Sequence, residues 1–444
     1  MLNPLFWIAL IITIGLCYTS LVNWKLGLIL FFIYIQFFGI VKRIILFISL
    51  DNLFYNLLVG LQYVFMVCII VGMIGDRHKW ENSSRYTGNW VLFLTLVLFI
   101  SISFSSLGLG TAVMLAVIQY FPVYIIMVGP RLEGKLLNDL KKILIKMAPV
   151  HALYQIIQFI WGPFAYDLDF VEGKSSVTDA FEGDFMRGVP LYDSADPLYL
   201  HFAIVFVILL KGKKTAASWL NMSLIITSLI LMGNRSGLIL LALAVFIWKI
   251  IEWKSANKKI VLGVFIFLTL ATLNIFSYLL LDVIDTLGAL QLGQSDLASR
   301  WGQLGTFTDR IVGRKIATDN ITLFGMGLGS SGLGASTLAN KGVGYDGGMN
   351  DIHAHDLLGE IILDFGIVGV IIFAALIWKV YKNSISINED SPFLAVILAS
   401  ILASSLLGGS FTYGRAGYFV FLFAGYLLRK NQNQHSYQEK LGYV

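Results

Sequence analysis

The amino-acid sequence predicts an all-α fold, a polytopic integral membrane protein with about 12 or 13 transmembrane helices and two long loops on one side of the membrane. Three observations lead there. The 444 residues are 57% hydrophobic and 13% charged, with a mean hydropathy of +0.77, far from the balance of a soluble globular domain. Runs such as PLFWIALIITIGLCYTSLV, NLLVGLQYVFMVCIIVGMIG and VLGVFIFLTLATLNIFSYLLL reach the roughly 20 residues a helix needs to cross hydrocarbon. β-barrel strands, at roughly 10 alternating residues each, do not give such unbroken runs. Third, basic residues fall in alternate connections, as they do in chains that cross a membrane repeatedly.

In order, the apolar segments lie near 3–21, 25–41, 53–75, 89–106, 110–129, 145–161, 197–210, 216–232, 236–251, 260–281, 357–379, 393–410 and 416–428. The first lacks a basic leader and a small-residue cleavage site, so it is expected to remain as a span. Lys42 and Arg43 interrupt the stretch that ends at Leu50, which leaves the parity of the first three spans open. Beyond them, five basic residues between Arg131 and Lys146, the KGKK of 211–214, and the basic residues of Lys249–Lys259 mark cytoplasmic loops. The intervening loops then face outward, and two are long, 164–196 and 282–356. The first sets Asp167, Asp169, Glu172, Asp179, Glu182, Asp184, Asp193 and Asp196 against Lys174 and Arg187. No repeat or low-complexity tract divides the chain, so 1–444 reads as one integral membrane domain, with an outer loop at 164–196, a large outer catalytic loop at 282–356 and C-terminal spans over 357–428. Structureless loops of such length are uncommon, and function is the usual reason to keep them.

The net charge of +5 reports topology here rather than nucleic-acid binding. Cys17 and Cys68 sit inside apolar runs, which favours packing over a disulfide framework or a thiolate metal site.

Four constellations on the outward side could do chemistry. In LMGNRSGLILL, Arg235 stands between two apolar runs, where a guanidinium either snorkels or binds an anion. In SDLASRWGQ, Arg300 lies beside Trp301 and is followed by Arg310, Arg314 and Lys315; guanidinium forks suit phosphate oxygens, and a solvated amphipathic helix is the plain alternative. In DFMRGVPLYDSADPLYLHF, Arg187 precedes a turn-rich approach to the next span. The fourth is MNDIHAHDLLGEIILDFGIVGV, preceded by LFGMGLGSSGLG. Those glycines lack the strand context of a dinucleotide fingerprint, and instead allow tight turns or close approach of backbone amides to a polar head group.

His353 and His355 are too poorly provided with converging ligands for a metal site; Asp346, Asp351 and Asp356 follow no recognised spacing. A histidine at an aqueous boundary titrates near neutrality and suits removal of a proton from a sugar hydroxyl, with helix-end decoration as the bland alternative. Glu360 and Asp364, four apart, share a helix face and would orient a histidine or cation or line a wet cavity. Asp167 and Asp169 form a D-x-D pattern that chance explains in so acidic a loop.

Together these motifs resemble the O-antigen ligase and O-antigen polymerase superfamily, membrane glycosyltransferases of GT-C-like architecture acting on polyprenyl-diphosphate-linked glycans. NRSG at 234–237 matches the family's S-R-[SG], ASRWGQ at 298–303 approximates S-R-x-x-x-W, FGMGLGSS at 324–331 fits G-x-G-x-G, and HDLLGEIILDFGIVG at 355–369 fits H-N-x-x-L-x-x-x-x-E-x-G-x-x-G. The resemblance covers about 185–380; Asp356 stands for the usual Asn, Gly359 for Leu and Asp364 for Glu. It implies that Arg235, Arg300 and Arg187 bind the donor diphosphate and that His355 is the base. Asp356, His353, Arg310, Arg314, Glu360 and Asp364 would support them, with no cofactor and no obligatory metal. It further implies an active site on the extracytoplasmic face of a bacterial inner membrane, with a lipid-linked glycan donor, a glycan or lipid acceptor, membrane lipids, a flippase and a chain-length regulator as partners. The leading expectation is a polymerase of lipid-linked repeat units into O-antigen, capsule or exopolysaccharide. The alternatives are a ligase that hands the finished glycan to an acceptor and, from another class, a polysaccharide or lipid transporter.

Overall fold

The computed structural model describes residues 4–49, 52–76, 82–105, 108–132, 134–162, 164–167, 181–182, 185–186, 190–192, 195–231, 235–253, 321–329, 357–384, 390–407 and 416–428. These residues are overwhelmingly helical. The helices are α1 Pro4–Val22, α2 Trp24–Ser49, α3 Asn52–Gly75, α4 Asn82–Phe104, α5 Leu109–Leu115, α6 Gly134–Trp161, α7 Ala195–Lys211, α8 Ala216–Leu231, α9 Arg235–Glu252, α10 Leu357–Ser384, α11 Ser391–Leu407 and α12 Ala416–Leu428. The described strands are a two-residue antiparallel pair, Phe181 opposite Met186 and Glu182 opposite Phe185. Five stretches among the described residues are long and apolar enough to cross a membrane: Trp24–Ile44, Thr87–Phe104, Leu109–Arg131, Gly134–Trp161 and Leu357–Ser384. Shorter apolar helices accompany them, and the protein is an all-α polytopic membrane protein.

Three boundaries differ from those expected, each for a physical reason. α2 continues through Lys42 and Arg43 to Ser49 instead of stopping near 41, because Arg43 is buried with a carboxylate partner, Asp167. α6 starts at Gly134 rather than near 145; its charged first turns hold Lys135, Lys141 and Lys142 and prolong the helix beyond its apolar part. The apolar segment 110–129 is not one regular helix. After α5 it widens into a π-turn at Ala116–Tyr120 and then tightens into 3-10 turns at Phe121–Met127 and Gly129–Arg131. Pro122 and Pro130 lack the N–H an α-helical ladder needs.

The chain forms two compact units, Met1–Gly88 with Phe121–Val245 and Arg415–Val444, and Asn89–Tyr120 with Phe246–Gly414. In the first, the indole of Trp24 donates to Asp76 at 3.0 Å, and Arg131 donates to the carbonyls of Met73 and Asp76. These bonds gather the start of α2, the end of α3 and the end of the 3-10 segment at one end of the unit. Its interior is aromatic: Phe31 meets Phe65 and Tyr418 edge-on at 5.3 and 5.0 Å, and Phe32 meets Phe419 at 5.2 Å, joining α2, α3 and α12. In the second unit, Val97, Leu98, Leu115, Ala116, Leu328, Phe365 and Ile372 form a core shared by α4, α5, the 321–329 segment and α10.

Candidate functional site

The most developed polar structure in the second unit lies where the glycine segment meets α10, ten or so residues beyond the histidine pair. α10 is not continuous. Gly366 adopts φ 65° and ψ −159°, so the helix breaks there into a short N-terminal piece and a longer C-terminal one. A break in an apolar helix exposes backbone groups that hydrocarbon cannot satisfy, and each must find a partner inside the protein. In an unbroken helix the N–H groups of Ile367 and Val368 would bond to the carbonyls of Leu363 and Asp364. Here Ile367 N–H donates to Thr322 O at 3.0 Å and Val368 N–H to Leu323 O at 3.1 Å. The two released carbonyls are also taken up, Leu363 O by Met326 N–H at 2.7 Å and Asp364 O by the Ser101 hydroxyl at 2.6 Å. Segment 321–329 is thus a backbone splint laid across the break.

The sequence dictates this splint through its glycines. A Cβ on Gly366 would lie 2.3 Å from Gly325 N and 2.4 Å from Thr322 O, so no side chain fits there even before the positive φ is considered. Gly327, at φ 99°, meets the backbone of Phe104 equally closely. The segment is held from α4 as well: Leu328 N–H donates to Ser101 O at 3.0 Å, and the Ser105 hydroxyl donates to Leu328 O at 2.7 Å.

Asp364 closes the assembly. Its side chain is fully buried; Oδ1 accepts Gly329 N–H at 3.2 Å and Oδ2 accepts the Tyr120 hydroxyl at 2.9 Å. Tyr120 ends the π-turn, where the extra residue per turn is often found at functional positions, and its ring packs edge-on against Phe365 at 4.8 Å. Two neighbouring residues of α10 therefore grip one tyrosine, one by its hydroxyl and one by its ring. Glu360 is also buried, at 3% exposure, and stands in the first turn of α10, where a carboxylate complements the positive end of the helix dipole. Glu360 and Asp364, expected to orient a histidine or a cation or to line a wet cavity, are both enclosed, and Asp364 fastens the splint.

An apolar groove of about 350 Å3 runs between α10 and α11. Its walls include Leu357 and Ile361 from the first turns of α10, Phe373 and Trp378 further along, and Leu398 and Leu402 of α11. It begins immediately after His355 and Asp356 in the chain.

The described part of α9 opens with the last three residues of NRSG. The Gly of NRSG is explained by packing: a Cβ on Gly237 would fall 2.8 Å from both the Tyr199 ring and a Leu229 methyl. That glycine seats the start of α9 against α7 and α8. Of the other site candidates, His353, His355, Asp356, Arg187, Arg300, Arg310 and Arg314 lie outside the described residues, as do the expected span at 260–281 and the side chain of Arg235. Asp167 of the D-x-D pattern is described and is paired with Arg43. Ser101 and Tyr120 stand in no motif that would mark them in the sequence; Arg43 shows there as a charge in an apolar run, and its partner Asp167 shows only in the fold.

Comparison with protein-family models, curated proteins and solved structures finds no match to this chain.

Proposed function

We propose that the protein is a membrane glycosyltransferase of GT-C-like architecture that polymerises polyprenyl-diphosphate-linked oligosaccharide repeat units into a cell-surface polysaccharide. Its active side would be the extracytoplasmic face of a bacterial cytoplasmic membrane, as the alternation of basic loops suggests. One observation supports this reading above the rest: the glycine segment and the helix after His355, two motifs that the resemblance rests on, are joined through Gly366 and Asp364.

In this reaction the acceptor hydroxyl attacks the anomeric carbon of the donor sugar with inversion. The new C–O bond forms as the bond to the lipid diphosphate breaks, the hydroxyl proton passes to His355, and Arg235, Arg300 and Arg187 neutralise the departing diphosphate. Pre-aimed cations in a partly dry site are worth several kcal/mol to such a leaving group. The groove between α10 and α11, almost wholly apolar and opening beside His355 in sequence, suits the isoprenoid tail.

A deletion strain tests the reading. Loss of long chains, with single repeat units remaining on the final acceptor, is the expected outcome. Full-length chains stranded on the carrier would instead identify a ligase, and unaltered chain chemistry with material retained on the wrong side of the membrane would identify a transporter.

A further inference from the structure

In the first unit, α6 carries a polar stripe that the proposed chemistry does not use. His151, Gln155 and Gln158 are spaced by four and three residues, so they share one face of the helix over about 10 Å of its length. That face turns toward α2: His151 Nε2 meets Gln36 Oε1 at 3.3 Å, and Gln158 reaches Asp167, the partner of Arg43. All three side chains are at most 2% exposed, in a stretch long and apolar enough to cross a membrane.

The bonds these residues make define what is left over. Gln36 donates from Nε2 to Phe32 O at 2.9 Å, which turns its carbonyl to His151 and places the ring proton of His151 on Nε2. His151 Nδ1 is then a bare lone pair, and among the described residues nothing donates to it. The ring is stacked on Phe37 at 5.9 Å and on Tyr192 at 4.8 Å, so it is not free to turn that nitrogen elsewhere. Gln158 spends its amide N–H on Asp167 Oδ2 at 2.8 Å and keeps an unmet carbonyl, while neither arm of the Gln155 amide has a partner among the described residues.

Both ends of the stripe are saturated. His201 donates from Nε2 to Leu144 O at 2.8 Å, two turns before His151 on α6, and its Nδ1 accepts the Tyr192 hydroxyl at 3.0 Å. Asp167 takes Arg43 on Oδ1 at 2.7 Å and Tyr154 on Oδ2 at 2.9 Å. The unmet atoms between them are one ring nitrogen, two carbonyls and one amide N–H group. Apolar surroundings cannot satisfy them, and leaving them dry is costly. Among the described residues no three metal-ligating side chains gather, and a set that needs both donors and an acceptor is the set that water meets. Side chains one turn apart have Cβ atoms about 5–6 Å apart, a gap that one water spans with two hydrogen bonds.

We propose that α2 and α6 enclose a binding site for two water molecules along this stripe. One donates to His151 Nδ1 and accepts from Gln155 Nε2; the other donates one proton to Gln155 Oε1 and one to Gln158 Oε1. All four unmet atoms are then satisfied, and the contact of α2 with α6 is water-mediated at its centre. The site stands independently of the glycosyltransferase reading.

The test uses the full chain in lipid nanodiscs, labelled with 15N on histidine, and reads magnetisation transfer from water to the imidazole nitrogens by solid-state NMR. His201, saturated by protein partners, is the internal reference. In the wild type, transfer to His151 should build up about threefold or more faster than transfer to His201. Equal rates would show a dry stripe and overturn the proposal. Gln155→Leu removes no hydrogen bond between described residues, and it should bring His151 down to the rate of His201. A folded Gln155→Leu protein in which His151 keeps its wild-type rate would overturn the bridge between the two residues. Gln155→Met, closer in shape to glutamine, repeats that comparison should the leucine variant not fold, and the wild-type measurement decides the presence of water without any variant.

Discussion

At the scale of single residues, the broken helix depends on a few groups it cannot do without. Gly366→Ala combines a positive φ with an overlap against backbone at 2.3 Å. The strain alone costs about 1–2 kcal/mol and the displaced splint adds to it, so a clear fall in Tm in nanodiscs is expected, and an unchanged Tm would refute the splint. Tyr120→Phe removes one hydroxyl from a buried carboxylate and should cost about 1–3 kcal/mol by the same measurement. Asp364→Asn keeps an acceptor for Gly329 N–H and should cost less than Asp364→Ala, which leaves both donors unmet. Gly366 was legible in the sequence as a motif position but not as a break, because a glycine in an apolar run looks the same whether the helix bends there or not. Asp364 was legible as a charge in an apolar helix; its partners Tyr120 and Ser101 were not, since they lie more than 240 residues away and nothing local marks them.

At the scale of elements, hydropathy located the helices well because a membrane demands long runs of apolar residues, and it located their ends poorly because ends are set by polar partners. α2 outruns its expected limit through Arg43, and the segment after α5 departs from α-helical geometry at a π-turn that precedes Pro122. Neither consequence follows from mean hydropathy. The groove between α10 and α11 is an element-level feature of the same kind, created by packing rather than by any motif. Ala374 lies in its wall, and Ala374→Trp should fill it. The expected result is an apparent KM for lipid-linked donor raised about tenfold with little change in a water-soluble acceptor's KM, measured by initial rates. Equal effects on both substrates would remove the isoprenoid from the groove.

At the scale of the whole molecule, orientation and chemistry are the two claims that matter. With Cys17 and Cys68 replaced by alanine, Ser175→Cys should react in intact spheroplasts with a membrane-impermeant maleimide and Ser255→Cys only after lysis; the reverse pattern would invert the topology. The all-α polytopic architecture could be read from composition alone, because 57% hydrophobic residues in long runs have few other solutions. The reaction could not, since its expected residues are scattered from Arg187 to His355 and only motif order relates them. The most direct test is therefore chemical. Purified protein in nanodiscs, given only polyprenyl-diphosphate-linked repeat units, should produce a ladder of longer lipid-linked chains, and both His355→Ala and Arg300→Ala should abolish it while their Tm values stay within a few degrees of wild type. A wild-type protein that yields no product longer than the substrate, or a His355→Ala variant that extends chains at the normal rate, would contradict the account.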